Sequence, residues 1–241
     1  MILPFEVDFY KPYGIDAEYY GNPVLDSIEA FMQDYDSKKD LPLVKDDRPI
    51  IALLAGSRKQ EIDNLLPEML SVIGHFPDFR FVIAGAPSIS PEYYQKYISG
   101  NNVDVVYNKT YTLLKMAEAA VVTSGTATLE TALLGVPEVI VYKTSALTFF
   151  IGSFFLKIKF FSLVNLILNK EAVKELLQKN LSPDIKKELD KILYDPQYRS
   201  VMLENYRQLR QILGDPGVSG KVAGRINELL IEKQHVSGKM T

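Results

Sequence analysis

The chain has 241 residues, 27 of them basic and 30 acidic, for a formal net charge of −3. That length suits one large domain or two modest ones, and the near balance of charge leaves no overall footprint for nucleic acid. There is no cysteine, which excludes disulfides and thiolate metal sites; His75 and His235 lie far apart without ligand-spaced acidic or histidine neighbours, so no metal and no cofactor is expected.

The chain opens on ILPFE, an apolar, strand-like piece with no turn or cap before it, and the expectation is a part of a longer protein. It shows no signal-peptide pattern and no apolar run of about 18 residues, so a soluble cytoplasmic protein is expected. Residues 2–26 hold three prolines and two glycines and read as a connector. A short helix is expected near Ser27 to Tyr35, and Ser37 to Arg48 reads as loop.

Regular patterning begins at Ile50. IIALLAG reads as a buried strand, followed by Gly56-Ser57-Arg58 and a helix with Ile62, Leu65, Leu66, Met69, Leu70 and Ile73 on one face. Phe79 to Gly85 is a second strand, Ser90 to Ile98 a helix with Pro91 in its first turn, Val103 to Tyr107 a third strand and Thr110 to Glu118 a helix. Ala119 to Val122 is a fourth strand, leading through Thr123-Ser124-Gly125-Thr126 into a helix, Ala127 to Leu134, and then a fifth strand, Val139 to Tyr142. Alternation at this spacing implies an α/β fold, a doubly wound parallel sheet of Rossmann type.

In the strand order 3-2-1-4-5, strands one and four are neighbours where the order reverses. The turns at Gly56 and Gly125 then face each other across one crevice at the carboxyl edge of the sheet. Free N–H groups and the positive end of a helix make such a turn a site for phosphate. Gly125 has no Cβ to hold a ligand away, and Glu130, one helical turn further on, can accept hydrogen bonds from the paired hydroxyls of a ribose. Arg58 at the mouth can bind a diphosphate bidentately and steady a leaving group. The competing reading is a serine that caps a helix, a solvated Glu130 and an exposed Arg58 at a helix start.

Residues 145–168 interleave six phenylalanines with Lys157 and Lys159. Three readings stay open for them: core, an interface between two copies, or a patch on a membrane surface. Asn165 stands alone among Leu163, Val164, Leu166 and Ile167 in what reads as a strand, and needs a partner in the backbone or a ligand. The end is helical. Pro183 to Tyr194 is one helix, Gln197 to Leu213 a second with Met202, Tyr206, Leu209 and Leu213 inward, and Val218 to Ile231 a third with Val222, Ile226 and Leu229 inward; the last residues read as a frayed tail.

LLAGSRKQEI, TSGTATLETALLGVPEVIVY and FSLVNLILNKEAVKELLQ together resemble the lipid-A-disaccharide synthase family, bacterial glycosyltransferases of the two-Rossmann-domain (GT-B) class. LPFE and GNPVLD match the family's domain junction; proline is usual where this chain has Ala55, and histidine where it has Asn22. The resemblance implies transfer of 2,3-diacylglucosamine from its UDP derivative to 2,3-diacylglucosamine 1-phosphate, with release of UDP. It assigns residues 1–26 to the end of an amino-terminal domain and linker, 27–232 to the UDP-sugar-binding domain with its carboxyl-terminal helices, and 233–241 to the tail.

By motif, Gly56, Ser57 and Arg58 fall in the diphosphate loop, Ser124, Gly125, Thr126 and Glu130 in the second nucleotide loop, and Asn165 is a further UDP contact. Arg58 steadies the leaving group. The general base and the acyl-chain pocket come, in the family, from the amino-terminal domain, so this chain is expected to bind UDP without turnover. A peripheral contact with the inner face of the inner membrane and a homodimer are further expectations. Another UDP-GlcNAc enzyme (the peptidoglycan N-acetylglucosaminyl transferase or an epimerase) and a non-catalytic nucleotide-binding module are the alternatives.

Overall fold

The computed structural model describes residues 1–36, 47–143, 159–177 and 181–237, with side chains to residue 232. The Phe-rich reading of residues 145–158 and the loop reading of 37–46 lie outside the described residues. The chain divides into two compact units, Met1–Asp34 with Arg210–Thr241, and Tyr35–Leu209.

The smaller unit opens with α1 (Glu6–Tyr10), a 3-10 turn at Lys11–Tyr13, and α2 (Val24–Asp34). The strand expected at residues 2–6 is instead the entry to a helix. The Glu6 carboxylate accepts from the backbone N–H of Ile2 at 3.0 Å and of Leu3 at 2.8 Å, which stabilises a turn over an extended chain. The expected junction at residue 26 falls inside α2, whose first N–H, at Val24, donates to the Asn22 side chain.

The larger unit holds six parallel strands: β1 (Ile50–Leu54), β2 (Arg80–Gly85), β3 (Val103–Tyr107), β4 (Ala117–Thr123), β5 (Glu138–Tyr142) and β6 (Lys174–Leu177), in the order β3-β2-β1-β4-β5-β6. The expected order is therefore observed, with one strand added at its end. All five residues of β1 are buried, as a strand covered on both faces requires. The connections carry α3 (Lys59–Leu70), α4 (Pro91–Ile98), α5 (Thr110–Met116), α6 (Thr126–Leu133) and α7 (Leu163–Leu168). In α3 the expected face is buried from Ile62 to Leu70, while Ile73 belongs to a separate 3-10 turn and is half-buried.

In this unit one expected strand is a helix, and one strand was not expected at all. The segment around Asn165 is a helix, because six apolar residues fit a buried helix as well as a strand and the ends decide. The Ser162 hydroxyl accepts from the Asn165 N–H at its start, and Asn169 takes a left-handed conformation (φ 49°) at its end. Conversely, KELL at residues 174–177 looks helical but pairs with β5 from Val139↔Lys174 to Tyr142↔Leu177, so sheet pairing overrides local propensity.

Next come α8 (Leu181–Tyr194), α9 (Pro196–Leu213) and α10 (Val218–Ser237). Met202, Tyr206, Leu209 and Leu213 of α9 are buried as expected. In α10 the expectation fails: Val222, Ile226 and Leu229 are 39%, 54% and 46% exposed. Within its own unit α10 is held by polar contacts in its first two turns. The Asp26 carboxylate accepts from the N–H and hydroxyl of Ser219 and from the N–H groups of Val218 and Gly217, which hold its pKa down at about 2, and Arg225 pairs with Glu18 at 3.0 Å. An apolar stripe read from periodicity says which face a helix can bury, not that a described partner covers it. Helix α10 also continues to Ser237, into the segment read as frayed. Among the described residues no helix is long and apolar enough to cross a membrane.

Glu138, the first residue of β5, is fully buried, and among the described residues neither carboxylate oxygen has a hydrogen-bond partner; burial pushes its pKa well above the ordinary value. The neutral acid is therefore the folded form, and the unfolded chain releases the proton first. This group's contribution falls as pH rises above its unfolded value of about 4.3, at up to about 1.4 kcal/mol per pH unit, until the folded pKa is reached. Glu138→Gln is expected to remove that slope and to be more stable than wild type at pH 7, with the gap closing towards pH 4, in urea denaturation across that range.

Candidate functional site

Parallel pairing of β1 with β4 places Leu54 beside Val122. The residues that follow each strand therefore emerge side by side at the carboxyl edge. They line one cleft of about 420 Å³ that contains Gly56, Ser57 and Arg58 on one side and Ser124, Gly125, Thr126 and Glu130 on the other. Arg58 and Glu130 thus belong to the same crevice, as strand order required.

The two turns are chemically unequal. After β1, Gly56 has φ 102°, and a Cβ there would collide with the Glu61 side chain. The Glu61 carboxylate lies across the turn. Its Oε2 accepts from the N–H groups of Ser57 at 3.0 Å and Arg58 at 3.3 Å, and its Oε1 accepts from Arg58 Nη1 at 2.8 Å. The first loop's amides are therefore already engaged by an acid of its own helix. The Arg58 side chain is 80% exposed and keeps further donors beyond that pair. The Ser57 carbonyl accepts from Ser88 Oγ at 3.1 Å, tying this loop to the one after β2.

At the end of β4, Thr123 is buried with its hydroxyl unpartnered among the described residues. Ser124 does not cap the helix: its N–H donates to the Val141 carbonyl at 3.1 Å and its hydroxyl to the Phe161 carbonyl at 2.8 Å. Gly125 has φ 152°, and a Cβ there would meet nothing within 4 Å, so conformation and not crowding selects glycine. The Thr128 N–H and hydroxyl turn back to the Gly125 carbonyl. Among the described residues, the N–H groups of Gly125, Thr126 and Ala127 meet no acceptor. Free amides at the positive end of a helix are the kind of donor set that can hold an anion.

Glu130 is half-buried and accepts from the Tyr111 hydroxyl at 2.6 Å. Burial, and then this bond, push the Tyr111 pKa well above its usual value, so Tyr111 is a lasting donor that leaves Glu130 an acceptor towards the cleft. Asn165 is not brought to the cleft. Its Nδ2 donates to the Val173 carbonyl and to Glu175, and its Oδ1 accepts from the N–H groups of Ala172 and Val173. Sequence reasoning missed Tyr111 and Glu61. Tyr111 had no signal, being distant along the chain. Glu61 had one: an acid three residues after the helix start is half of a capping box, masked by arginine at the cap.

Residues 1–212 match the family model of lipid-A-disaccharide synthetase. The lipid-A-disaccharide synthase of Myxococcus xanthus is 36% identical over 236 residues, covering 95% of this chain and 61% of the relative. The chain thus spans about three fifths of that relative's length. Among solved structures, UDP-GlcNAc 2-epimerase from Neisseria meningitidis, bound to UDP-GlcNAc, aligns with a TM-score of 0.64 at 19% identity over 92% of this chain and 58% of its own. The calicheamicin glycosyltransferase CalG4 aligns with a TM-score of 0.55 at 16% identity over 93% of this chain and 60% of its own. At those identities the two structures establish the shared Rossmann-like fold. The match over residues 1–212 goes further, and the chain belongs to the lipid-A-disaccharide synthetase family.

Proposed function

We propose that this chain carries the donor site of a glycosyltransferase of lipid A biosynthesis. The reaction transfers 2,3-diacylglucosamine from its UDP derivative to 2,3-diacylglucosamine 1-phosphate and releases UDP. The observation that carries this reading is the cleft in which unengaged α6 amides, the Arg58 guanidinium and the Glu130 carboxylate meet. In it, the diphosphate sits at the N–H groups of Gly125, Thr126 and Ala127, with Arg58 closing over it from the opposite wall. Charge that builds on the departing UDP is met by donors already oriented, which is where such sites gain most of their effect. Glu130, held by Tyr111, takes the ribose hydroxyls. Gly56 and Ser57 shape the opposite wall, and Asn165 acts from behind the cleft. Both substrates carry acyl chains, so this reading puts the reaction at the cytoplasmic face of a membrane, with the protein in peripheral contact.

Calorimetric titration with UDP is expected to show saturable binding, weakened about tenfold to a hundredfold by Arg58→Ala, the range for loss of a charge-assisted bidentate contact. Absence of binding to the folded wild type would refute the donor-site reading. The ribose assignment has its own test. Wild type is expected to prefer UDP over 2′-deoxy-UDP, and Glu130→Ala to bind both equally and weakly; a preference that survives in Glu130→Ala would place the ribose elsewhere.

A further inference from the structure

The second loop is shaped from behind by a carboxylate outside the cleft. Glu175 lies on β6, opposite Ile140 of β5. Its Oε2 accepts from the Phe161 N–H at 2.8 Å, and its Oε1 accepts from the Ser162 N–H at 2.9 Å, the Ser162 hydroxyl at 2.7 Å and Asn165 Nδ2 at 2.8 Å. Every group facing it is a donor. Only an all-acceptor side chain satisfies such a set, because the amide of a glutamine would turn its own NH2 towards an N–H. The ring of Phe161 stacks on Tyr142, with centroids 5.9 Å apart, which fixes the same residue from the other side.

The Phe161 carbonyl, so fixed, accepts the Ser124 hydroxyl, while the Ser124 N–H is held by Val141. Ser124 is thereby pinned at two points immediately before Gly125, the residue whose φ of 152° turns the chain into α6. We propose that Glu175 is a positioning residue for the anion site: through Phe161 and Ser124 it sets the direction of the Gly125 and Thr126 N–H groups. Ser124 then serves as the last link of this relay and not as a ligand donor. Asn165 is the brace between them, since its donors and acceptors close the loop from Ala172 to Glu175 around α7. The relay concerns the shape of the loop; its effect on UDP rests on the donor-site reading.

The test combines UDP titration with amide resonances of the ligand-free chain in wild type, Ser124→Ala, Glu175→Gln and the double variant. Each single variant is expected to move the Gly125 and Thr126 resonances while those of β1 and β2 stay in place, and to raise the UDP Kd about tenfold, as for one lost hydrogen bond to a charged group. The double variant is expected to bind UDP no worse than either single one, because both act through one path. If Glu175→Gln lowers the thermal midpoint but leaves those two resonances and the UDP Kd unchanged, Glu175 is structural only and the relay is wrong. Additive losses in the double variant also overturn it. If the resonances move but no form binds UDP, the relay stands and the donor-site reading falls. Should Glu175→Gln fail to fold, Ser162→Ala, which removes one of the donors facing Glu175, takes its place with the same expectations.

Discussion

The register of β1 against β4 is the constraint from which the rest of the larger unit follows. With Leu54 beside Val122, two chains leave the sheet at neighbouring points of its carboxyl edge. Each must turn at once into a helix on the sheet's face, and a turn that tight calls for a positive φ. Glycine supplies it at both places, at 102° for Gly56 and 152° for Gly125. The crevice is thus a consequence of strand order, and its backbone donors are a consequence of the turns.

What distinguishes the two walls is where an acid falls along each helix. Glu61 comes early enough in α3 to reach back over its own turn and engage two of its amides. Glu130 comes later in α6, beyond reach of that helix's start, and is drawn to Tyr111 instead. A helix start favours a negative charge by roughly 0.3–1 kcal/mol, up to about 2 when partly buried. On the α3 side Glu61 already meets that preference. On the α6 side the amides are unengaged among the described residues, so the proposed anion is met there, with Arg58 of the first wall adding a positive charge to the same cleft. The pairing of Arg58 with Glu61 does not cancel this, because an exposed ion pair at a surface is worth about 1 kcal/mol or less and yields readily to a diphosphate.

Most of this framework was legible because it depends on local pattern. Buried parallel strands are runs of Ile, Val, Leu and Ala, the turns carry glycine, and the face of α3 repeats at helical spacing. The failures share a different cause, since each was decided by something outside the pattern that was read. Residues 163–168 become a helix because Ser162 and Asn169 decide between forms that the residues leave open, and 174–177, for which no element was expected, form a strand by pairing with β5. Asn165 was rightly read as a polar group needing partners, but its partners are Ala172, Val173 and Glu175 and not the cleft. Glu61 lies inside LLAGSRKQEI but was given no role there, and Tyr111 lies outside every motif; one puts a carboxylate across the first turn and the other a hydroxyl donor on Glu130. The stripe of α10 was periodic but uncovered, since periodicity states a helix's capacity for burial and not its occupant.

Two glutamates on adjacent strands show how this molecule distributes polar satisfaction. Glu138, at the amino end of β5, is sealed in the core with no partner for either oxygen among the described residues. Glu175, on β6, has donors on both oxygens and sits beside the loop that leads to the cleft. A buried carboxyl without partners stays protonated and weakens the fold above its unfolded pKa. One with donors on both oxygens is held in place by them and orders the groups that donate to it. The ordered carboxylate is linked through Phe161 to Ser124 at the edge of the cleft, whereas the unpartnered one lies at the other end of its strand from that edge. A strained or unsatisfied group is tolerable where only stability is at stake, because a domain can absorb a few kcal/mol of loss while its core is intact. Behind Gly125 the cost would be of another kind, because a small rotation of one peptide plane there would turn an unengaged N–H away from the cleft.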